Sequence, residues 1–336
     1  MNISILGAGA WGTALAVSLA DRHRVMLWGR DTSAMQTMQS QRQNVAYLPE
    51  IIFPEALVIT ADFDTAMAHC AAGDSLLIVA TPVAGLRPLA QRLATITIPN
   101  LLWLCKGFEE HSGLLPHQIV REVLGIHLPC GALSGPSFAL EVARGLPTAL
   151  AMASTDANLR ERVVHAVHGP QLRVYTTDDV IGVEVGGAVK NILAIATGLI
   201  DGLSLGMNAR AALITRGLAE ITRLGMALGG RADTFMGLAG VGDLLLTCTG
   251  ELSRNRRVGL GLAQGKSLEV VVQELGHVAE GVRCARIVCT LASQLQIDMP
   301  IANAVASVLF DGALPHHAVA RLLARDRRDE SIEPAS

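Results

Sequence analysis

The sequence contains no Cys-x-x-Cys pair. Its six cysteines are scattered, and the nearest two, Cys284 and Cys289, have four residues between them. Such spacing builds neither a disulfide framework nor a zinc site, and it implies buried free thiols in a reducing cytoplasm. Charge is scarce at 17% and nearly balanced, 27 basic residues against 30 acidic ones leaving a net −3. No general positive field is therefore present to hold nucleic acid. Aromatics fall to 3%, while half the chain is hydrophobic and 33 residues are glycine. This composition excludes a disordered chain, a collagen and a small disulfide scaffold, and it suits close helix–sheet packing. A chain of 336 residues has length for about two domains.

A targeting signal also lacks its usual flank. Residues 3–20 carry no charge and end in Ser18-Leu19-Ala20, but only Met1 and Asn2 precede them, where a secretory signal would place Lys or Arg. The run also meets Gly7, Gly9 and Gly12, which fit another explanation. No other uncharged apolar stretch approaches the ~18 residues of a membrane helix. A soluble, cytoplasmic protein without an integral membrane segment is expected. The ten histidines are scattered, so no metal site is expected, and His316-His317 reads as a solvated loop.

The first half alternates short apolar runs with helical spacing. Strands are predicted at 3–6, 25–28, 76–80 and 101–105, and helices at 11–21, 32–40 and 85–94. Uniformly apolar strands alternating with helices predict a parallel sheet covered on both faces. From about residue 180 the pattern becomes helical almost throughout. Helices are predicted at 183–202, 209–228, 258–264, 268–274, 281–294 and 301–310. The fold class is α/β: a Rossmann-type parallel-sheet domain over 1–185, then an all-helical domain over 186–325. A flexible tail is expected at 326–336.

Gly7-Ala8-Gly9-Ala10-Trp11-Gly12 is a GxGxxG that follows the first strand and opens a helix, which is the context a dinucleotide site requires. Gly7 would allow the tight turn, Gly9 the approach of a pyrophosphate, and Gly12 helix–strand packing. The helix N-terminus would add free N–H groups and partial positive charge. About 20 residues past the glycines an NAD site usually carries an acid. Here the second strand ends in Gly29-Arg30-Asp31. Arg30 can pair with a 2′-phosphate, and Asp31 leaves NAD possible.

Between residues 181 and 200 the only charges are Glu184 and Lys190. A lone cation in an apolar helix needs a partner or a purpose. Gly186 and Gly187 share its face, so that a substrate lying against that face fits. Partial burial would lower the lysine pKa toward the range useful for proton transfer. Asp243, after the Gly-rich 237–242 loop, has three readings: contact to a substrate hydroxyl, support for Lys190, or a helix N-cap. In Ser253-Arg254-Asn255-Arg256-Arg257, the densest basic run, Ser253 reads as an N-cap. An anion at that helix end, phosphate or carboxylate, would offset the repulsion between cations and dipole. Lys106, at the carboxyl end of a strand, lies where open α/β sheets bind ligands.

Taken in order, these pieces resemble the bacterial NAD(P)-dependent glycerol-3-phosphate dehydrogenases over roughly residues 1–325. The resemblance rests on residues 7–16 (GAGAWGTALA), Cys105-Lys106-Gly107, Ser134-Gly135-Pro136-Ser137-Phe138-Ala139 and Val189-Lys190-Asn191. It continues through Gly240-Val241-Gly242-Asp243-Leu244, the 253–257 run and Ala279-Glu280-Gly281. It implies reduction of dihydroxyacetone phosphate to sn-glycerol 3-phosphate with NADPH or NADH, supplying glycerophospholipid synthesis, with Lys190 as general acid/base. It implies that Lys106, Gly135, Ser137, Asp243, Ser253, Arg254 and Asn255 line the substrate. For the cofactor it implies Ala10, Trp11, Arg30, Tyr47, Lys106, Ala139, Arg254, Val278 and Glu280, beside the glycines. A homodimer is a further family expectation. Glu50 departs from the family pattern, which often has Gly after Tyr-Leu-Pro. Two other readings stand beside this one. A related 3-hydroxyacid or sugar-acid dehydrogenase would bind carboxylate where the basic run favours phosphate. A non-catalytic dinucleotide sensor would not need the isolated Lys190.

Overall fold

The structure is a computed structural model and describes residues 1–276 and 279–324. Val278 and the 326–336 tail lie outside the described residues. The chain divides into two compact units, one of residues 1–105 with 116–180 and one of residues 106–115 with 181 onward. The division expected at 185/186 differs from this in two ways. A cut there would split the helix that begins at Val180. The 106–115 segment also joins the helical unit, because Phe108 and Leu115 are buried in its core.

The first unit holds ten strands: β1 Asn2–Leu6, β2 Arg24–Trp28, β3 Gln43–Asn44, β4 Leu48–Ile52, β5 Val58–Thr60, β6 Ser75–Val79, β7 Leu101–Trp103, β8 Cys130–Ser134, β9 Thr148–Ala153 and β10 Leu172–Thr177. Its helices are α1 Ala10–Leu19, α2 Thr32–Gln41, α3 Phe63–Ala71, α4 Leu86–Leu93, α5 Pro116–Leu124, α6 Ala139–Ala143 and α7 Ala157–Val167. Eight strands form one sheet in the order β10-β9-β8-β7-β6-β1-β2-β5, and β3 pairs with β4 separately. The central β1 and β6 are apolar without alternation because helices cover both faces. Ile3, Ile5, Leu76 and Ile78 are fully buried. The edge strand β10 alternates buried and exposed positions.

The parallel sheet that the strand–helix alternation predicted is present, with one antiparallel pair, β8 and β9. The connection between them holds only the five-residue α6. At 1.5 Å per residue that helix advances about 7 Å, too little to carry the chain back along β8 for parallel pairing.

The second unit contains α8 Val180–Gly202, α9 Gly206–Ala227, α10 Ala232–Phe235, α11 Asp243–Thr249, α12 Arg254–Ala263, α13 Leu268–Leu275, α14 Glu280–Gln294, α15 Pro300–Phe310 and α16 Pro315–Leu323. A π-helical turn, Leu238–Gly242, leads into α11. Helix α8 is apolar on every side because it is the core of this unit. By length and composition it could cross a membrane, although Glu184 and Lys190 interrupt its apolar run. Its apolar window is 94% buried inside the protein. His316 and His317 are exposed, as expected, but they lie on α16 rather than in a loop. All six cysteines are free thiols.

Candidate functional site

In the first unit each glycine of the 7–12 loop has a separate spatial requirement. Gly7 has φ +128°, and a Cβ there would lie 2.7 Å from the Ala80 carbonyl. A Cβ on Gly12 would lie 2.0 Å from the Gly7 carbonyl oxygen, so only glycine lets α1 start against the turn. At Gly9 a Cβ would meet nothing within 4 Å. The space beside that backbone is open, at the end where α1 presents its unpaired N–H groups. The indole Nε1 of Trp11 is buried with no hydrogen-bond partner among the described residues. These features fit a dinucleotide phosphate at the loop.

The loop has a support that the sequence did not disclose. Buried Asn44, on β3, donates to the Ala8 carbonyl at 3.0 Å and to Thr13 Oγ1 at 2.8 Å. Tyr47 is partly exposed between β3 and β4. Glu50, the residue departing from the family pattern, pairs with Arg144 at the surface. Arg30 is exposed after β2, and Asp31 turns to cap α2, accepting from the Ala34 N–H at 3.0 Å. Gly135, with φ +132°, turns the chain out of β8. Ser137 donates to the Gly135 carbonyl at 3.0 Å, and Ala139 opens α6.

The second unit gathers Lys106, Lys190, Asp243 and Thr247. The Lys190 side chain is 7% exposed and its ammonium donates to Asp243 Oδ1. It also donates to Thr247 Oγ1 at 2.9 Å, and that hydroxyl in turn donates to the Asp243 backbone carbonyl at 2.6 Å. The other oxygen of Asp243 accepts from Lys106 Nζ at 2.7 Å. Two ammonium groups thus share one carboxylate that is 1% exposed, a local net charge of +1. Burial pushes Lys190 down to about 7; the Asp243 charge opposes this and the Lys106 charge adds to it. Lysines pushed this far are candidates for acid/base work.

Of the three readings of Asp243, the structure shows the contact with Lys190 and overturns the N-cap. Gly242 holds the N-cap position of α11 and Asp243 begins the helix. Thr247 was missed, although its signal is legible: it follows Asp243 by four residues on one helix face. At Gly186, on the glycine face beside Lys190, backbone takes the place expected of a substrate. A Cβ on Gly186 would lie 2.5 Å from the Ala239 carbonyl oxygen, so the backbone approaching that position belongs to the π-helical turn and not to a substrate.

At the start of α12, Ser253 caps as predicted, accepting from the Arg256 N–H at 3.3 Å. Arg254 is exposed. Both ends of the Asn255 amide are engaged inside the protein. It donates to Asn191 Oδ1 at 2.9 Å and accepts from the Gly281 N–H at 3.0 Å. Burial raises the Glu280 carboxyl, with Arg283 and Arg254 drawing it back. Among the described residues no group of three or more His, Cys, Asp or Glu is placed to hold a metal ion.

Comparison with known proteins agrees with this geometry. The family model described as the NAD-dependent glycerol-3-phosphate dehydrogenase N-terminus matches residues 2–160. The model described as the C-terminus of the same enzyme matches residues 179–320. A glycerol-3-phosphate dehydrogenase (NAD(P)+) from Janthinobacterium sp. (strain Marseille) is 71% identical over 98% of this chain and 99% of its own. A protein of the same name from Paucimonas lemoignei is 72% identical over 99% of each. The crystal structure of glycerol-3-phosphate dehydrogenase from Coxiella burnetii superposes with a TM-score of 0.91 at 42% identity, covering 96% of this chain and 98% of that one.

Proposed function

The chain belongs to the NAD-dependent glycerol-3-phosphate dehydrogenase family, and from that premise we propose that it reduces dihydroxyacetone phosphate to sn-glycerol 3-phosphate with NADPH or NADH. The observation that carries the chemistry is the Lys190 ammonium, buried and held by Asp243 and Thr247. Gly7, Gly9, Ala10, Trp11 and Gly12 hold the dinucleotide phosphates, and Arg30 reads the adenosine ribose. When bound, the nicotinamide supplies the hydride that forms the new C–H bond.

Everything else falls to the chain. Lys190 has three N–H bonds. Two go to Asp243 and Thr247, and the third donates a proton to the carbonyl oxygen. The Lys106 charge and the net +1 of the cluster stabilise the alkoxide as it develops. Arg254 and the first N–H groups of α12 bind the phosphate, with Ser253 and Asn255 fixing that helix end. Loss of reduced-nicotinamide absorbance with dihydroxyacetone phosphate tests the proposal, set against a panel of oxo acids. Turnover of oxo acids alone would overturn it. Catalysis in the cytoplasm by a homodimer is part of the same reading, and light scattering of the purified chain checks the dimer.

Three outcomes follow from named residues. A general acid near 7 must keep its proton for reduction, so kcat/KM for the ketone is expected to fall as pH rises through about 7. For glycerol phosphate oxidation the neutral amine is needed, and kcat/KM should rise over the same interval. Initial rates in both directions check the opposite signs. Second, Arg254→Ala should cost about 1.5–3 kcal/mol in kcat/KM, the scale of a charged hydrogen bond. Unphosphorylated dihydroxyacetone, measured alongside, should be a poor substrate little affected by the change. Third, Arg30→Asp should raise KM for NADPH and leave that for NADH nearly unchanged. An exposed ion pair is worth only ~1 kcal/mol, so the effect should be modest and shrink with added salt.

A further inference from the structure

The ion-pair cluster of Asp201, Arg210 and Arg256 lies outside the machinery described above. Asp201, in the last turn of α8, accepts from Arg256 Nε at 2.9 Å and Nη2 at 2.7 Å, both at Oδ2. Arg210 on α9 donates to the same carboxylate at 3.0 and 3.2 Å. The three side chains are only 15–16% exposed. Arg256 occupies the first turn of α12, where the helix dipole opposes a cation; Asp201 offsets that.

The contact between α8 and α12 explains why such a bridge is needed. A Cβ on Gly198 would lie 2.0 Å from the Arg256 carbonyl oxygen, and one on Gly259 would lie 2.0 Å from the Ile195 carbonyl oxygen. At Gly198 and Gly259 the two helices meet backbone to backbone, and glycine has no side chain to resist a pivot there. Polar bridges resist it instead: Asn255 to Asn191, and Arg256 to Asp201. Helix α8 carries Lys190 and α12 begins with Arg254. A ketone joined to its phosphate by a fixed number of bonds demands a fixed separation between the two.

We propose that Asp201 is a positioning residue for the substrate phosphate: by pinning Arg256 it fixes the first turn of α12 against α8, and so sets the separation of Arg254 from the Lys190 ammonium. This rests on the reading of the site as a dihydroxyacetone phosphate reductase. The test is steady-state kinetics of the full chain carrying Asp201→Asn. KM for dihydroxyacetone phosphate should rise on the order of ten- to a hundredfold, the effect of misplacing a binding group by about 1 Å. The change in kcat should stay within about threefold, the signature of lost binding rather than lost chemistry. Arg256→Gln breaks the same bridge from the other side and should reproduce this, and Arg256→Lys should restore part of it.

A double-mutant cycle supplies the readout that a merely structural role would not move. In the Arg254→Ala background Asp201→Asn should add little, because its effect runs through Arg254. Additive losses, or a lowered thermal midpoint with KM unchanged, would overturn the proposal. Should Asp201→Asn not fold, Arg256→Gln takes its place in the cycle, where additivity with Arg254→Ala again overturns the proposal and non-additivity supports it. A parent protein inactive on dihydroxyacetone phosphate overturns the functional reading itself, which the parent assay separates from the cycle.

Discussion

Lys190→Ala is expected to lower kcat for ketone reduction by about 10²–10⁴, the usual worth of a positioned acid. The reason is geometric as much as chemical. Lys190 reaches the site from the interior of α8, and its ammonium is held at two points, by Asp243 and Thr247. Lys106 cannot take over, because its Nζ is directed to the other carboxylate oxygen. KM for the ketone should change less than kcat, since Arg254 and the α12 terminus keep the phosphate. The thermal midpoint should fall, because the substitution removes one partner of a buried ion pair, with Lys106 still beside Asp243 to limit the loss. Steady-state rates with melting curves check both. Near-normal kcat would remove Lys190 from the chemistry.

The second large effect concerns Asp243→Asn. It leaves two ammonium groups facing a neutral amide in a site where the carboxylate was 1% exposed. Removing one partner of a buried ion pair costs about 3–5 kcal/mol. The loss should depend on pH, because Lys190 can shed its proton. Already pushed to about 7, Lys190 should fall further without the Asp243 charge. The destabilisation is therefore expected to be largest well below pH 7, to shrink as pH rises toward 7 and to stay constant above it. Denaturant midpoints at several pH values check this. The descending limb of the reduction profile should move to lower pH in the same variant. A loss independent of pH would mean that Asp243 acts through packing alone.

Much of this was legible because the chemistry is local. The 7–12 glycines announce a loop whose demands are set by neighbours a few residues away. A single cation in an apolar helix announces a buried amine, and Ser253 announces a cap. What was not legible depends on contacts distant in sequence. Nothing around Gly186 reveals that its neighbour is the Ala239 carbonyl; two mid-helix glycines look alike whether they face a ligand or another backbone. β9 was not among the strands read from the sequence, and its antiparallel direction is decided by the short connection before it. The internal hydrogen bonds of Asn255 were likewise hidden. Its partners, Asn191 and Gly281, are 64 and 26 residues away.

The assignment of residues 106–115 to the helical unit has a consequence for the order of synthesis. The chain crosses between units three times, after residues 105, 115 and 180. Phe108 and Leu115 therefore leave the ribosome well before the α8 core that buries them. With 66 residues from 115 to 181 and elongation at 5–20 residues per second, that delay is roughly 3–13 s. During it two large apolar side chains have no home, while β8, β9 and β10 of the sheet unit emerge in turn. Neither unit can be completed before translation of the other has begun, so nascent folding has no clean halfway product.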